Sequence, residues 1–193
     1  MGESTGGVES SVAIIGGRVM VNGVSMAERL AEGARARLGS TPSVVRALLE
    51  GMPTELVTTP LDGEWSARDV VAHLAVGESV VLRARLVGMR AGPGGAIANV
   101  DEEEALEASG FRGLAAGELL DRFERERGES LALLDGFSAE ELALSGEHEL
   151  VGSITAAEMV NQISFHDAVH VEQIARMLAL PAEEARGGLR EFS

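Results

Sequence analysis

The sequence predicts an all-α fold, a bundle of four long amphipathic helices. Three observations point to it. Apolar residues recur at helical spacing in four separate segments. Capping motifs open two of these segments, at Ser66 and Thr155. Histidines interrupt the inward stripe of two of them, which is where bundles place functional side chains. No internal repeat is present, and 193 residues are enough for one domain with a substantial core.

Residues 1–24 read unlike the remainder and form an N-terminal extension ahead of a bundle domain at 25–193. They carry two short apolar runs, Val12–Ile15 and Val19–Val21, around Gly16-Gly17. A Gly-Gly turn between β-prone runs allows a small hairpin, and an isolated hairpin is marginal in water, so the alternative is a flexible segment.

The first helix begins near Ser25, with Met26, Leu30, Leu38, Val44, Val45, Leu48 and Leu49 as its stripe. Thr41-Pro42 inside it reads as a fresh helix start or a kink. Gly51 and Pro53 end it, and Leu56 to Glu64 reads as connecting loop. The second helix opens at Ser66, an N-cap with Asp69 three positions on. Its stripe is Val70, His73, Leu74, Gly77, Val80/Val81 and Ala84, and Gly92-Pro93-Gly94-Gly95 stops it just after Met89 or Arg90.

Residues 92–113 form a long connection holding the acidic run Asp101–Glu104, where a short helix fits. A connection of this length implies a crossover between helices 2 and 3 rather than a tight antiparallel turn. The third helix spans about Ala115 to Phe137, on Leu119/Leu120, Phe123, Leu131 and Leu134. Ser138–Glu141 and the polar stretch Ser145–Glu149 make the next joint. Thr155 with Glu158 forms a capping box for the fourth helix, which Pro181 should stop.

Acidic residues outnumber basic ones 31 to 16, giving a net charge of −15 with histidine neutral. Such a surface repels nucleic acid and anionic lipid, so neither is an expected partner. Absence of cysteine removes disulfides, thiolate nucleophiles and Cys-type zinc knuckles. No apolar run is long enough to span a membrane, and the N-terminus lacks the basic start of a signal peptide, so a soluble cytoplasmic protein is expected. All basic side chains are arginine and tyrosine is missing, which suggests a GC-rich bacterial genome.

The chemistry sits on the fourth helix, whose stripe is Val160, Ile163, His166/Asp167, His170, Ile174 and Met177/Leu178. Four residues turn a helix by about 40° beyond a full circle and raise it about 6 Å, so both imidazoles reach one point. An apolar face gains nothing from two imidazoles unless their nitrogens are paired. A divalent metal is one such partner, with His73 of the second helix as third ligand. The other reading makes each histidine a core residue bonded to a backbone carbonyl, and spacing alone leaves the two level. His148, between Glu147 and Glu149, reads as solvated. Asp167 lies about 60° round the helix from His170, where it accepts an imidazole N–H or stays a solvated carboxylate. Gln173 touches a ligand or caps the site. Trp65 reads as packing.

Three blocks carry a family resemblance: Thr41–Gly51; Gly63-Glu64-Trp65-Ser66-Ala67-Arg68-Asp69-Val70-Val71-Ala72-His73-Leu74; and His166-Asp167-Ala168-Val169-His170-Val171-Glu172-Gln173-Ile174. With Glu184–Arg190, their order and spacing resemble the DinB-like superfamily over residues 25 to 192. The resemblance implies an up-down-down-up four-helix bundle with a three-histidine divalent metal site, the ligands being His73, His166 and His170. Its members include bacillithiol and mycothiol S-transferases and a mycothiol-dependent maleylpyruvate isomerase; others are described as metal-dependent hydrolases.

Three neutral imidazoles leave the charge of a cation uncompensated and a coordination position open, which suits activation of a thiol or a water. The first expectation is therefore a thiol S-transferase, taking a low-molecular-weight thiol such as mycothiol and an electrophile. A hydrolase using metal-bound hydroxide is the second. A non-catalytic metal-stabilised binding or dimerisation module is the third, with a homodimer left open. Zinc or nickel is the expected metal, though imidazoles also suit copper and iron. A thiol pocket would need cations, for which Arg83 and Arg85 qualify only if they face the site; a hydrolase would need a carboxylate within reach.

Overall fold

The structure is a computed structural model and describes residues 12–15, 18–21, 24–60 and 65–192. It opens with three short strands, β1 (Val12–Ile15), β2 (Arg18–Val21) and β3 (Val24–Ser25), in an antiparallel sheet of that order. Val12 lies opposite Val21, and Met20 opposite Ser25. Residues 1–11 of the extension and its Gly16-Gly17 turn lie outside the described residues.

Helix α1 (Met26–Glu50) runs unbroken through Pro42. A proline in a helix interior has no N–H for the carbonyl four residues back. Here that carbonyl belongs to Leu38, and the guanidinium of Arg127 donates to it at 2.7 Å. The lost backbone bond is thus replaced from another helix, and α1 continues through Thr41-Pro42 without the fresh start that the sequence allowed. Of the expected stripe, Leu38, Val45 and Leu49 are buried, with Ala34, whereas Leu30 and Val44 face solvent. A short helix α2 (Thr54–Thr58) occupies part of the stretch expected to be loop; residues 61–64 are outside the described set.

The second bundle helix is α3 (Ala67–Gly77), a π-helical turn (Glu78–Arg83) and α4 (Ala84–Ala91) in succession. Ser66 caps it as expected: its hydroxyl accepts from the Asp69 amide, and the Asp69 carboxylate accepts from the Ser66 amide. The π turn was not visible in the sequence. It inserts extra backbone into the helix and re-phases the stripe, so Val81, Leu82, Leu86 and Met89 are buried while Val80 and Ala84 face outward.

The connection that follows contains β4 (Ala96–Ile97) and α5 (Glu102–Ser109), capped by Asp101 and ended by Gly110 at φ 69°. A 3-10 turn (Phe111–Gly113) leads into α6 (Ala116–Asp135). After α7 (Ala139–Leu142) come β5 (Ser145–His148) and β6 (Gly152–Thr155), which join β4 in a second sheet of order β4-β5-β6. The polar joint expected there is therefore a hairpin. Its pairing with β4 is long-range, which local propensity does not reveal. Helix α8 (Ala156–Ala185) starts at the Thr155–Glu158 capping box and continues past Pro181, correcting the expected stop. A proline so near the end removes one bond of the last turns, and the helix outlasts it by a single turn.

Side-chain contacts fix the direction of each helix. Arg35 meets Asp135 and Arg46 meets Asp121, so α1 and α6 are antiparallel. Arg37 meets Ser164 and Thr41 meets Asp167, so α1 and α8 run the same way. Arg83 meets Ser130 and Arg90 meets the Gly136 carbonyl, making the second bundle helix parallel to α6. His73 meets His166 and Arg85 meets Met159, making it antiparallel to α8. The four directions are up, down, down and up, and the parallel middle pair requires the long crossover.

Two apolar clusters fill the bundle. One is built on Val45, Leu49, Val70, Leu74, Phe123, Ile174 and Met177, the other on Leu38, Leu82, Leu86, Met159, Val160 and Ile163. On every bundle helix a buried polar residue separates them: Thr41, Glu78, Arg127 and Asp167. No described helix is long and apolar enough to cross a membrane.

Candidate metal centre

His73 projects from α3 into the middle of the bundle, and the capping box at Ser66 sets where that helix begins and hence which way His73 points. His166 and His170 come from successive turns of α8. The His73 and His166 Nε2 atoms are 2.9 Å apart, those of His166 and His170 3.1 Å, and one ligand atom from each of the three lies within 4.8 Å of the others. The two histidines one turn apart on α8 and His73 from α3 are thus brought to one point.

Gln173 accepts a hydrogen bond from Nδ1 of His170, at 2.8 Å. That places the single proton of a neutral imidazole on Nδ1 and leaves Nε2 a bare lone pair aimed at the cluster. His166 Nε2 faces the other two nitrogens at once, and one N–H cannot serve both. A divalent cation accepts three lone pairs together, and tetrahedral ligands at zinc distances stand about 3.3 Å apart. The donor set therefore fits such a cation.

Burial and the neighbouring imidazoles oppose protonation here. His73 is lowered to about 3, by burial first and then by the fields of His166 and His170. His166 is lowered to about 4, by burial and then His170, with Asp167 acting the other way. Both stay neutral, as a ligand must, well below neutral pH. The indole of Trp65 stacks beside the rings, its centroid 4.7 Å from that of His73 and 6.4 Å from that of His170. It walls the site as well as packing.

Asp167 is neither solvated nor turned to an imidazole. Its two oxygens take the Arg127 guanidinium at 2.6 and 2.9 Å, and Thr41 Oγ1 lies 2.6 Å from Oδ2. Arg127 also donates to Glu78 Oε1 at 2.7 Å. Arg127 and Glu78 are each 1% exposed and Asp167 3%. Burial opposes the guanidinium charge, but the bonds and fields of Asp167 and Glu78 outweigh it and hold the Arg127 pKa raised. This knot fixes α8 against α1, α6 and the π turn directly beneath His166. A period-3.6 reading of the third helix puts Arg127 on its core face, four residues past Phe123, and a charge at such a position was the available clue to a buried partner.

Two of the three imidazoles, His73 and His166, lie at one wall of a cleft of about 90 Å³ lined also by Gly77, Glu78, Arg85, Glu102, Met159 and Gln162. Glu102 reaches in from the crossover helix, its Oε2 3.6 Å from His73 Nε2. No pattern in the acidic run singled it out. Arg85 lines the cleft, whereas Arg83 turns away to Glu126, Glu129 and Ser130. His148 is buried, not solvated; its Nδ1 accepts from the Leu150 amide and its Nε2 is 3.3 Å from Arg85.

Fold and site together define a class: a four-helix bundle with an up-down-down-up course and three inward histidines able to hold a divalent metal. The family model of the DinB superfamily matches residues 37–174, and the chain belongs to that superfamily. A solved structure with a similar fold is YfiT from Bacillus subtilis, described as a probable metal-dependent hydrolase with an unusual four-helix bundle topology. It is 21% identical, at a TM-score of 0.68 over 76% of this chain and 85% of that chain, and the likeness speaks to the fold. No curated protein matches.

Proposed function

We propose that the protein is a divalent-metal-dependent hydrolase whose nucleophile is generated in the cleft beside His73, His166 and His170. The observation that carries the reading is the approach of the Glu102 carboxylate to within 3.6 Å of His73 Nε2, beside the open side of the triad. A cation held by the three imidazoles would act as a Lewis acid, lowering the pKa of whatever occupies its open position. Glu102 accepts the proton of the attacking water and returns it to the leaving oxygen or nitrogen. Gln173 keeps the His170 lone pair facing inward. Trp65 screens the ring faces from water.

A second reading, thiol S-transfer, is favoured by Arg85, a cation that faces the cleft as a thiol pocket would require. With no cysteine in the chain, the thiol would be a small molecule such as mycothiol. One experiment separates the two. Zinc-loaded protein is assayed against a panel of small esters and amides, and in parallel against several thiols with an electrophile such as chlorodinitrobenzene. The hydrolytic reading expects turnover of the first panel, lost in His170→Ala and reduced about 10²–10⁴-fold in Glu102→Gln. Thiol consumption without hydrolysis, indifferent to Glu102→Gln, would favour the transferase.

A further inference from the structure

Among the cations near the bundle interior, Arg85 stands apart. Arg83 pairs with Glu126 and Glu129, and Arg127 with Glu78 and Asp167, whereas Arg85 forms no ion pair with a described residue. Its Nε is buried with no hydrogen-bond partner. Its Nη2 makes two long contacts, 3.3 Å each, to the Ala98 carbonyl and His148 Nε2, and its Nη1 rests 3.9 Å from Met159 Sδ. The Ala98 carbonyl and Met159 brace the guanidinium without neutralising it, and His148, whose Nδ1 accepts from Leu150 and whose Nε2 therefore carries the ring proton, offers it no acceptor. A buried donor left unmet costs free energy until something arrives to accept from it.

The same cleft holds an unmet acceptor. Glu78 is 1% exposed, gives Oε1 to Arg127, and keeps Oε2 buried without a partner. The π turn is what delivers it there, since Glu78 is the first residue of that turn. Such turns recur at functional sites because they redirect a side chain off the regular helical face. The cleft thus presents three features together: His73 and His166 of the triad with Glu102, a braced guanidinium, and a carboxylate oxygen awaiting a donor.

We infer that this cleft is a subsite for a small carboxylate-bearing substrate, its carboxylate held by Arg85 and its N–H or O–H received by Glu78. The guanidinium fork matches a carboxylate with two parallel bonds, which a lysine or a neutral donor would not reproduce. A cleft of about 90 Å³ suits a compact ligand rather than a polymer. Burial lowers the pKa of Arg85 and Glu102 restores it only in part, so a bound anion is the natural counter-charge. The inference rests on the reading of this cleft as the substrate site, and it adds the substrate class.

The test is binding, read by calorimetry on zinc-loaded protein with three probes of one shape: N-acetylglycine, its uncharged amide N-acetylglycinamide, and acetoxyacetate, in which an ester oxygen replaces the N–H. N-acetylglycine should bind at least tenfold more tightly than the amide, and several-fold more tightly than acetoxyacetate. Arg85→Met should remove the preference for the carboxylate, and Arg85→Lys should restore only part of it. Retention of the preference in Arg85→Met would assign the carboxylate to another group and overturn the inference. So would equal or absent binding of the charged and uncharged probes by the unaltered protein, a comparison that holds even if the variants fail to fold. Arg85-dependent binding with no hydrolysis of any ester or amide leaves the subsite standing and removes the hydrolytic reading. Hydrolysis of neutral esters with no carboxylate preference does the reverse.

Discussion

Arg127 connects the sequence-level oddities of this chain. Pro42 leaves the Leu38 carbonyl without its helical donor, Asp167 and Glu78 are carboxylates on inward faces, and one guanidinium answers all three. Removing one partner of a buried charge cluster leaves the others uncompensated. Arg127→Met should therefore lower stability to unfolding by roughly 3–5 kcal/mol in urea titrations, and Arg127→Lys should recover little, because a point charge cannot span three acceptors. A loss within experimental error would mean the knot is not the anchor described. The histidines give a pH dependence at the same scale. His73 and His166 are held at about 3 and about 4 when folded, against 6.5 when unfolded. Between those values the unfolded chain binds more protons, so stability is full above about 6.5 and falls as pH drops toward 4. Cation-free protein titrated with denaturant across that window should lose stability steadily, and His73→Phe should lose less; a flat profile would contradict the burial argument. His166 and His170 were legible from their four-residue spacing, and His73 from its place in the inward stripe of another helix and from the family resemblance. Glu102 and Glu78 were not, since one sits in a run of four acids and the other depends on a turn that spacing does not encode.

At the scale of the element, boundaries set by capping chemistry were readable, and boundaries set by tertiary contacts were not. Ser66–Asp69 and Thr155–Glu158 opened their helices where the sequence put them. Pro42 and Pro181 did not break theirs, the first because a side chain from α6 replaces the missing donor. The β4-β5-β6 sheet escaped notice because Gly146 and its neighbours have no strand pattern of their own. Gly146 is nonetheless required there: a Cβ would stand 2.5 Å from Ile97 Cδ1 and 3.1 Å from the Gly95 carbonyl. Gly146→Ala should cost about 1–3 kcal/mol by overpacking. It should also displace β4, four residues before the Asp101 cap of α5, and so shift Glu102. The expected signature is hydrolysis impaired more than cation binding. Equal impairment of both would show that β4 does not position Glu102.

For the molecule as a whole, the bundle is an apolar core cut at mid-height by a polar layer, with the triad and its cleft opening from that layer. The helical periods foretold an inward apolar stripe on each of the four helices, and the crossover foretold the parallel middle pair. The layer between them was visible only in part, as histidines and one aspartate on an inward stripe, because its arginine and glutamate gain meaning only when four helices meet. A cation bound by the folded protein and not by the unfolded chain should stabilise the fold by about 2.7 kcal/mol at a free concentration 100 times its dissociation constant. The most direct measurement is metal content per chain, by elemental analysis after loading with zinc and exhaustive desalting. About one ion per chain is expected in the unaltered protein and in His148→Ala, and loss of it in His73→Ala, His166→Ala and His170→Ala. Equal content in all five proteins, or none in any, would contradict the three-histidine site.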